Sequence, residues 1–437
     1  MKLLCLSNGH GEDAIAVRIL QELQQYPHPP ELAALPIVGE GAAYAQLPNI
    51  PIIGPVQRMP SGGFIYMDGR QFFRDLQGGL LQLTLAQFKT IRAWAKQGGV
   101  VLAVGDIVPL LFAWLSGATY AFVGTAKSEY YLRDEAGPLS PKSKGQSWGG
   151  WSGSVYLPWE RWLMSRRRCQ AVFPRDTLTT ERLQQFRIPA YDMGNPMIDG
   201  LVPEQPAATF YGGDLEWQER QRSLTVTLLP GSRAPEAYAN WQLILQAVSG
   251  LMEVFWERNL LFLAAIAPAL NQEVLRSSLE SYGWRLESDA TSQGGGSFLP
   301  SSITSSAFFQ SPLTFTQRKA TLVLTQHHFN DCLQQGDFAI AMAGTATEQF
   351  VGLGKPAIAI PGSGPQFTPA FAEAQSRLLG PSLILVERSA QVAEAIQTLL
   401  RDPDRLQLIS DNGKRRIGKP GAAGRIAAHL IELFDGL

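Results

Sequence analysis

Short apolar segments alternate with longer amphipathic segments along most of the chain. Residues 2–6, 100–104 and 224–229 are almost wholly apolar, as expected for strands buried on both faces of a parallel sheet. Residues 13–25 instead place their apolar side chains on one helical face. This alternation predicts an α/β protein with parallel sheets.

The pattern forms two successive runs of strand and helix. The predicted strands are 2–6, 32–38, 100–104, 119–124, 171–174, 190–193, 224–229, 260–267, 321–325, 338–342 and 357–360. The predicted helices are 13–25, 80–96, 109–116, 235–257, 269–282, 329–334, 368–379, 389–401 and 420–434. Two such runs predict two doubly wound, Rossmann-like domains. The predicted domains are 1–194, 195–419 with a flexible Ser/Gly-rich insertion near 288–312, and a C-terminal helix, 420–437, that packs back on the first domain.

The amino-acid composition excludes several classes of protein. The chain has 437 residues, 45% of them hydrophobic and 17% charged, which excludes a disordered or collagen-like chain. The formal net charge is −1, so no basic excess indicates a nucleic-acid partner. Cys5, Cys169 and Cys332 are far apart, and the histidines lack metal-ligand spacing. We therefore expect no disulfide, no metal and no cofactor.

One segment has the length of a membrane span but not its composition. Residues 100–123 are mostly apolar, yet Asp106, Pro109 and Gly117 divide them into short pieces. A charge near the centre of a bilayer costs several kcal/mol. The first residues also lack the long apolar stretch of a signal peptide. The sequence thus favours a cytoplasmic protein without a membrane-spanning helix.

Two candidate sites fall in the first domain. A glycine-containing turn follows the first strand, where a backbone can approach a ligand closely. Its candidate residues are Gly9, His10, Gly11, Glu12 and Asp13. Asp106 ends an apolar strand, and a desolvated carboxylate there suits a general base. The alternatives are a plain turn and a helix-capping aspartate.

The second domain offers anion-binding turns. Residues 229–233, LPGSR, end a strand with Ser232 and Arg233, and residues 341–348 begin a helix with Gly344, Thr345, Thr347 and Glu348. Helix starts bind phosphates through backbone N–H groups and the helix dipole. Glu348 could accept hydrogen bonds from ribose hydroxyls. The alternative is a capping box of Thr345 and Glu348.

Amide side chains add a possible sugar site to the same domain. Gln366 follows a strand, and Gln375 lies in the next predicted helix. An amide both donates and accepts hydrogen bonds, so it suits sugar hydroxyls.

Motifs over nearly the whole chain resemble the lipid-A-disaccharide-synthase-related proteins. These motifs are SNGHGED, VGD, KSEYYLR, PWERWLM, FPRDTLTTERL, GNPMIDGL, LLPGSR, AGTATEQFVGLGKPAIAIPG and FAEAQSRLLG. The resemblance implies a GT-B fold, in which two Rossmann-like domains face each other across a cleft. It further implies an inverting, metal-independent glycosyltransferase that moves a hexose of the N-acetylglucosamine type from a UDP-sugar to a lipid acceptor.

The resemblance also implies roles for individual residues. Asp106 matches the aspartate proposed as base, with His10 and Glu12 as rivals, while Arg233, Gly344, Thr345 and Glu348 match the nucleotide-binding segments. Two alternatives share the fold: an enzyme like UDP-N-acetylglucosamine 2-epimerase, and a non-catalytic protein that binds nucleotide sugars.

Aromatic and basic residues cluster twice in the first domain. One cluster is Trp148, Trp151, Tyr156, Trp159 and Trp162 with Arg161 and Arg166 to Arg168; the other is Phe64, Tyr66, Phe72 and Phe73 with Arg70 and Arg74. Aromatic rings prefer lipid headgroups, and cations are drawn to anionic lipids. The clusters predict peripheral binding at the cytoplasmic face of a membrane; the alternative is that the tryptophans belong to the core.

Overall fold

The structure, a computed structural model, describes residues 1–57, 80–139, 152–201, 223–287 and 312–434. The chain forms two compact units. Unit 1 contains Met1–Asp199 and Gly418–Leu437, and unit 2 contains Gly200–Ile417. The sequence predicts these boundaries after residues 194 and 419.

Unit 1 is built on a five-stranded parallel sheet. The strands of unit 1 are β1 (Lys2–Ser7), β2 (Glu31–Pro36), β3 (Val100–Gly105), β4 (Tyr120–Gly124), β5 (Arg133–Asp134), β6 (Gly137–Pro138) and β7 (Cys169–Phe173). The sheet order is β2-β1-β3-β4-β7, while β5 and β6 form a separate hairpin. All residues of β3 are buried, as its unbroken apolar sequence predicts.

Helices cover the sheet of unit 1. They are α1 (His10–Gln24), α2 (Leu80–Lys96), α3 (Ile107–Ser116), α4 (Pro158–Met164) and α5 (Thr177–Gln185). The apolar face predicted for α1 is buried in a cluster with residues of β1 and β3. Burial of this face stabilises the helix, since isolated helices of this length are marginal in water.

Unit 2 is built on an eight-stranded mixed sheet. Its strands are β8 (Leu224–Leu229), β9 (Leu260–Ala265), β10 (Arg285–Leu286), β11 (Leu313–Gln317), β12 (Ala320–Thr325), β13 (Phe338–Ala341), β14 (Ala357–Ala359) and β15 (Leu383–Leu385). The order is β10-β11-β12-β9-β8-β13-β14-β15, and only β10 and β11 run antiparallel to their neighbours. Its helices are α6 (Glu236–Val254), α7 (Gln272–Ser281), α8 (Phe329–Gln335), α9 (Thr345–Gly352), α10 (Pro369–Leu379), α11 (Val392–Leu400) and α12 (Pro403–Ile417).

The last helix, α13 (Ala422–Phe434), belongs to unit 1 and packs against α1. Its apolar residues Ile426, Leu430 and Phe434 are buried in the same cluster as the apolar face of α1. The Asp199 carboxylate accepts three N–H groups at the start of α13, at 2.6–3.2 Å. A carboxylate at a helix N-terminus satisfies groups that have no acceptor within the helix.

In each unit the strand order reverses beside the first strand of the sheet. In unit 1 the chain passes from β1 outwards to β2 and then returns to β3 on the other side of β1. In unit 2 it passes from β8 to β9 and β12, and then returns to β13 on the other side of β8. In open α/β sheets, ligands bind beyond the carboxyl ends of the strands at such switch points.

Several elements differ from the sequence-based expectations. Residues 190–193 are not a strand; a single β-bridge joins Ala190 to Val172. Helix α12 was not predicted, because only about a third of its residues are apolar and its buried side includes Asn412 and Arg416. The antiparallel strand β11 was also missed, since it borders the Ser/Gly-rich segment. Most of that predicted insertion, 288–311, lies outside the described residues.

Candidate functional site

The carboxyl ends of β1 and β3 bring the first two candidate segments together. Gly105 has a φ of 134°, a conformation that favours glycine. A Cβ atom on Gly105 would lie 3.3 Å from Cβ of Asn8 and 3.3 Å from Cγ of Glu12. Asn8, Glu12 and Asp106 therefore share one end of the sheet at the switch point of unit 1.

Asp106 is the N-cap of α3, as the capping alternative predicts. Its Oδ1 accepts the N–H of Val108 at 2.8 Å. The nearby Asn8 side chain lowers the pKa of the Asp106 carboxyl, against the rise that burial causes. Asp106 is half-buried, and the Val108 N–H orients its carboxylate.

Burial raises the pKa values of both carboxyls at this switch point. Burial raises the pKa of Asp106; the Val108 N–H opposes this rise, and the charge of Glu160 adds to it. Burial also raises the pKa of Glu12, and the charges of Asp106 and Asp13 contribute. Two carboxyls that each disfavour ionisation can exchange a proton more easily near neutral pH than two exposed ones.

Lys127 and Glu160 form an ion pair that sequence reasoning did not single out as part of the site. Nζ of Lys127 lies 2.5 Å from Oε2 of Glu160, which also accepts the N–H of Leu157. Both side chains are largely buried. The charge of Lys127 lowers the pKa of Asp106, and the charge of Glu160 raises it. The signal was present in the KSEYYLR and PWERWLM motifs, which contain these two residues.

Asp13 has a different role from its neighbour Glu12. It is 3% exposed, and its Oδ1 accepts the Ser7 hydroxyl, which also contacts the hydroxyl of Tyr44 at 2.6 Å. The carboxylate is thus occupied within unit 1, and we treat Asp13 as structural. Gly9 caps α1 and Gly11 lies in its first turn. The His10 side chain lies outside the described residues.

In unit 2 the turn after β8 lies against the turn after β13. Gly231 has a φ of 97°, and a Cβ atom there would lie 3.2 Å from the carbonyl oxygen of Met342. The N–H of Met342 donates to the carbonyl of Leu229 at 2.8 Å. Ser232 is exposed and Arg233 is half-buried. The two predicted anion-binding turns therefore adjoin at the switch point of unit 2.

The start of α9 differs from the predicted capping box. Gly344 is the N-cap and no side chain caps the helix, because Thr345 is already its first helical residue. Thr345 is exposed, whereas Thr347 is buried and donates its hydroxyl to the carbonyl of Ala343 at 2.6 Å. Glu348 is 8% exposed, in the first turn of the helix. The N–H groups of Thr347 and Glu348 donate to the Gly344 carbonyl at 3.1 and 3.3 Å, so the N–H groups before them are the ones that face outwards from the helix start.

The two predicted glutamines lie at the carboxyl edge of the unit 2 sheet and have different roles there. Gln375 is buried, and its Nε2 donates to the carbonyls of Ala343 and Gly344, both at 3.1 Å. It therefore fixes the turn that leads into α9. Gln366 is half-buried, and its N–H donates to the carboxylate of Glu236, a residue that sequence reasoning missed.

A patch of large apolar side chains lies on α3 and α4. Leu111, Leu115, Trp159 and Trp162, which we call the apolar patch, are 39–51% exposed. The two helices are in contact, and the Trp162 ring meets the Trp114 ring edge to face at 5.2 Å. The guanidinium of Arg166 lies 4.3 Å from the Trp162 ring centre.

The remaining aromatic candidates divide into two groups. Tyr156 is buried in the core of unit 1, whereas the alternative placed the tryptophans there. The others lie outside the described residues: Trp148, Trp151, Phe64, Tyr66, Phe72, Phe73, Arg70 and Arg74.

The described residues contain neither a candidate metal cluster nor a candidate membrane span. In residues 1–57, 80–139, 152–201, 223–287 and 312–434, no group of three His, Cys, Asp or Glu side chains is arranged to hold a metal ion. No helix in that part of the chain has both the length and the apolar character needed to cross a membrane. The absence of a metal stays a prediction.

No family model and no curated protein sequence matches the chain. Solved structures do match. UDP-GlcNAc 2-epimerase from Neisseria meningitidis, bound to UDP-GlcNAc, has a TM-score of 0.55 and 14% identity, covering 100% of both chains. MnaA from S. aureus with UDP has a TM-score of 0.54 and 12% identity, covering 100% of this chain and 97% of its own. MurG from Acinetobacter baumannii has a TM-score of 0.53 and 13% identity, covering 99% of both.

At these identities the likeness shows the fold. The chain has the α/β architecture of the GT-B class over its full length, which confirms the predicted fold class.

Proposed function

We propose that this protein is an inverting, metal-independent glycosyltransferase that moves a hexose of the N-acetylglucosamine type from a UDP-sugar to a lipid acceptor. The observation that carries the proposal is the Asp106 carboxylate at the switch point of unit 1. It is oriented by the Val108 N–H, is half-buried, and has a raised pKa because of burial. These are properties of a general base.

Unit 2 supplies the site for the nucleotide sugar in this proposal. The diphosphate binds at the turn containing Ser232 and Arg233 and at the first turn of α9, with Glu348 on the ribose. The adjoining turns and the half-buried Arg233 support this placement. Similar structures were solved with UDP and with UDP-GlcNAc, which supports the choice of ligand.

The proposed reaction is a single displacement. Asp106 takes the proton from an acceptor hydroxyl as its oxygen attacks the anomeric carbon of the hexose. The bond from that carbon to the β-phosphate oxygen breaks, and UDP leaves with the electron pair. Attack from the face opposite to the leaving group inverts the anomeric configuration. Arg233 and the N-terminus of α9 stabilise the charge that develops on the diphosphate.

Glu12 and His10 are the alternative bases in unit 1. Glu12 is mostly buried, and its raised pKa and closeness to Gly105 suit a group that exchanges protons with Asp106. A pair of carboxyls, one protonated and one ionised, also suits an acid and a base in epimerisation. This pair makes a UDP-N-acetylglucosamine 2-epimerase-like activity the second candidate function.

The apolar patch supports a lipid acceptor and a peripheral position at the cytoplasmic face of a membrane. Leu111 and Leu115 lie five and nine residues beyond Asp106 along α3, or about 7 and 13 Å at 1.5 Å per residue. Exposed tryptophans prefer the headgroup region, and Arg166 and Arg167 beside them attract anionic lipids. A lipid held at this patch would present its headgroup near Asp106.

Sedimentation with vesicles tests the membrane part of the proposal. The protein should sediment with vesicles containing anionic lipid at low salt, and salt should release it. Replacing Trp159 and Trp162 by Ser, together with Arg167→Glu, should abolish sedimentation. Arg168 is left intact because it donates to the carbonyls of Trp114 and Ala118. Wild-type protein that ignores these vesicles would contradict peripheral binding.

Product analysis tests the function itself. The full chain is incubated with a panel of UDP-hexoses and a total lipid extract, and the products are examined by mass spectrometry and by chromatography of the nucleotide sugars. We expect UDP release and a glycosylated lipid. A new UDP-sugar isomer formed without lipid would instead establish the epimerase. Binding of a UDP-sugar without any turnover would favour the alternative of a non-catalytic protein that binds nucleotide sugars.

A further inference from the structure

The first two turns of α6 hold two of the loops at the carboxyl edge of the unit 2 sheet. Glu236 and Asn240 are four residues apart, so their side chains lie on one face of the helix. They are 7% and 2% exposed. Nδ2 of Asn240 donates to the carbonyl of Pro230 at 3.0 Å, in the turn after β8. Asn240 thereby fixes the turn that leads to Arg233.

Glu236 fixes the loop after β14, which comprises residues 361–367. Its Oε1 accepts the N–H of Phe367 at 2.6 Å, and both of its oxygens lie 3.1–3.2 Å from the N–H of Gln366. Hydrogen bonds from backbone N–H groups to a carboxylate are about twice as strong as neutral ones. Besides the bond within the loop from the Gly362 N–H to the Phe367 carbonyl, at 3.0 Å, one buried side chain of α6 therefore holds the loop.

The packing around Glu236 and Asn240 leaves no room for a side chain at positions 362 and 364 of the facing loop. A Cβ atom on Gly364 would lie 2.4 Å from Cδ of Glu236, far inside van der Waals contact. A Cβ atom on Gly362 would lie 2.9 Å from Oδ1 of Asn240. Both glycines allow the loop to lie directly on the face formed by Glu236 and Asn240. The contact can consequently be disturbed from either side.

This loop contains Gln366, whose amide side chain suits a sugar hydroxyl. The Gln366 N–H is donated to Glu236, so the carboxylate holds the backbone from which that side chain projects. The other nucleotide-binding elements have their own supports, since Asn240 holds the turn after β8 and Gln375 holds the turn before α9. Loss of Glu236 should therefore release one loop and leave the diphosphate turns in place.

We propose that Glu236 is a positioning residue for the donor sugar. It acts through the 361–367 loop and Gln366, and it does not contact the nucleotide. The inference rests on the proposed function, because it assigns the 361–367 loop to the hexose and the other two turns to UDP. It predicts that Glu236 distinguishes the affinity for a UDP-hexose from the affinity for UDP.

Calorimetry on the full chain tests this separation with UDP and UDP-N-acetylglucosamine as probes. Glu236→Gln keeps the size of the side chain but replaces one acceptor oxygen by a donor, which opposes the second N–H. We expect the affinity for the UDP-hexose to fall between about 10- and 100-fold, the effect of a misplaced recognition group. The affinity for UDP should change by less than about threefold.

Three further variants sharpen the test. Gly364→Ala should reproduce the loss from the other side of the contact, and the double variant should lose less than the sum of the two. Glu273→Gln changes an exposed glutamate in the first turn of α7, away from the loop, and is the matched control. Hydrogen exchange should show faster exchange at the Gln366 and Phe367 amides in Glu236→Ala, without any ligand.

The outcomes separate the two proposals. Wild-type protein that binds neither probe contradicts the proposed function. Wild-type protein that binds both probes, with Glu236→Gln weakening UDP and UDP-hexose equally or neither of them, overturns the positioning role. Unchanged exchange at Gln366 and Phe367 in Glu236→Ala would overturn it as well.

Discussion

Both units place polar residues where the order of their parallel strands reverses, but the two sets differ in charge. Unit 1 gathers the carboxyls of Glu12 and Asp106, whose pKa values are raised by burial. Unit 2 gathers backbone N–H groups of two adjoining turns, with Arg233 beside them. The same topological position thus suits proton transfer in unit 1 and anion binding in unit 2.

The two sites also differ in the hydrogen bonds that hold their residues in place. In unit 1, one backbone N–H holds the half-buried Asp106 carboxylate. In unit 2, buried polar side chains hold the loops themselves: Glu236, Asn240 and Gln375. A rigid frame suits the binding of a ligand, whereas a half-buried carboxylate with a raised pKa suits proton transfer.

Replacing Asp106 by Asn should have the largest effect. The amide can still cap α3 but cannot take a proton, so turnover should fall by about 10²- to 10⁴-fold while UDP affinity is retained. Asp176→Asn is the matched control, because Asp176 is also an N-cap aspartate of unit 1. Near wild-type turnover in Asp106→Asn would transfer the role of base to Glu12 or His10.

Replacing Glu348 by Ala should weaken UDP binding without changing the chemistry of unit 1. The loss of hydrogen bonds to a charged group costs about 1–3 kcal/mol, which is roughly a 5- to 150-fold change in affinity by calorimetry. Glu394→Ala, in the first turn of α11, is the control. Equal UDP affinity in Glu348→Ala and wild type would remove Glu348 from the ribose site.

Replacing Lys127 by Met should shift the pH profile of turnover. The Lys127 charge lowers the pKa of Asp106 and the Glu160 charge raises it, so loss of the cation raises that pKa further. A base must be deprotonated, and the acidic limb of kcat should therefore move to higher pH. Lys127→Arg keeps the charge and should keep the profile. If the acidic limb did not move in Lys127→Met, the ion pair of Lys127 and Glu160 would not control the pKa of the catalytic base.

Replacing Glu12 by Gln should have the smallest effect, an increase in stability that depends on pH. Because folding raises the pKa of Glu12, the folded state binds its proton more tightly than the unfolded state. Its favourable contribution is complete at acid pH and is lost as the pH rises through the folded-state pKa. Glu12→Gln should thus raise Tm at pH 8 more than at pH 4.

A matched variant makes the Glu12 measurement specific. Glu22→Gln makes the same change on the same helix, away from Asp106. If both variants changed Tm equally at pH 8, the carboxyl pair would not be the cause.

The sequence predicted the parallel strands and the fold class because buried parallel strands leave long apolar runs, as in β3 and β8. Helix α12 was missed because its polar residues conceal the buried side. For the site, the glycine turns and Asp106 were visible as local patterns. Glu236 was not, since its partners Gln366 and Phe367 lie 130 residues further along the chain.

Three of the predicted site residues have buried polar partners. Asp13, Thr347 and Gln375 have the residue types of ligand-binding groups. Each is hydrogen bonded inside its own unit. Asp13 accepts from the Ser7 hydroxyl, and Thr347 donates to the Ala343 carbonyl. Gln375 donates to the carbonyls before α9. A sequence shows which groups are polar, but their partners depend on tertiary packing.

The comparison between the units is tested most directly by hydrogen exchange of the wild-type chain with and without UDP. The account predicts that UDP slows exchange in residues 231–235 and 344–348 of unit 2. Residues 7–13 and 105–108 of unit 1 should exchange at the same rate in both states. Protection of the unit 1 segments by UDP, without protection of the unit 2 turns, would contradict the assignment of proton transfer to unit 1 and nucleotide binding to unit 2.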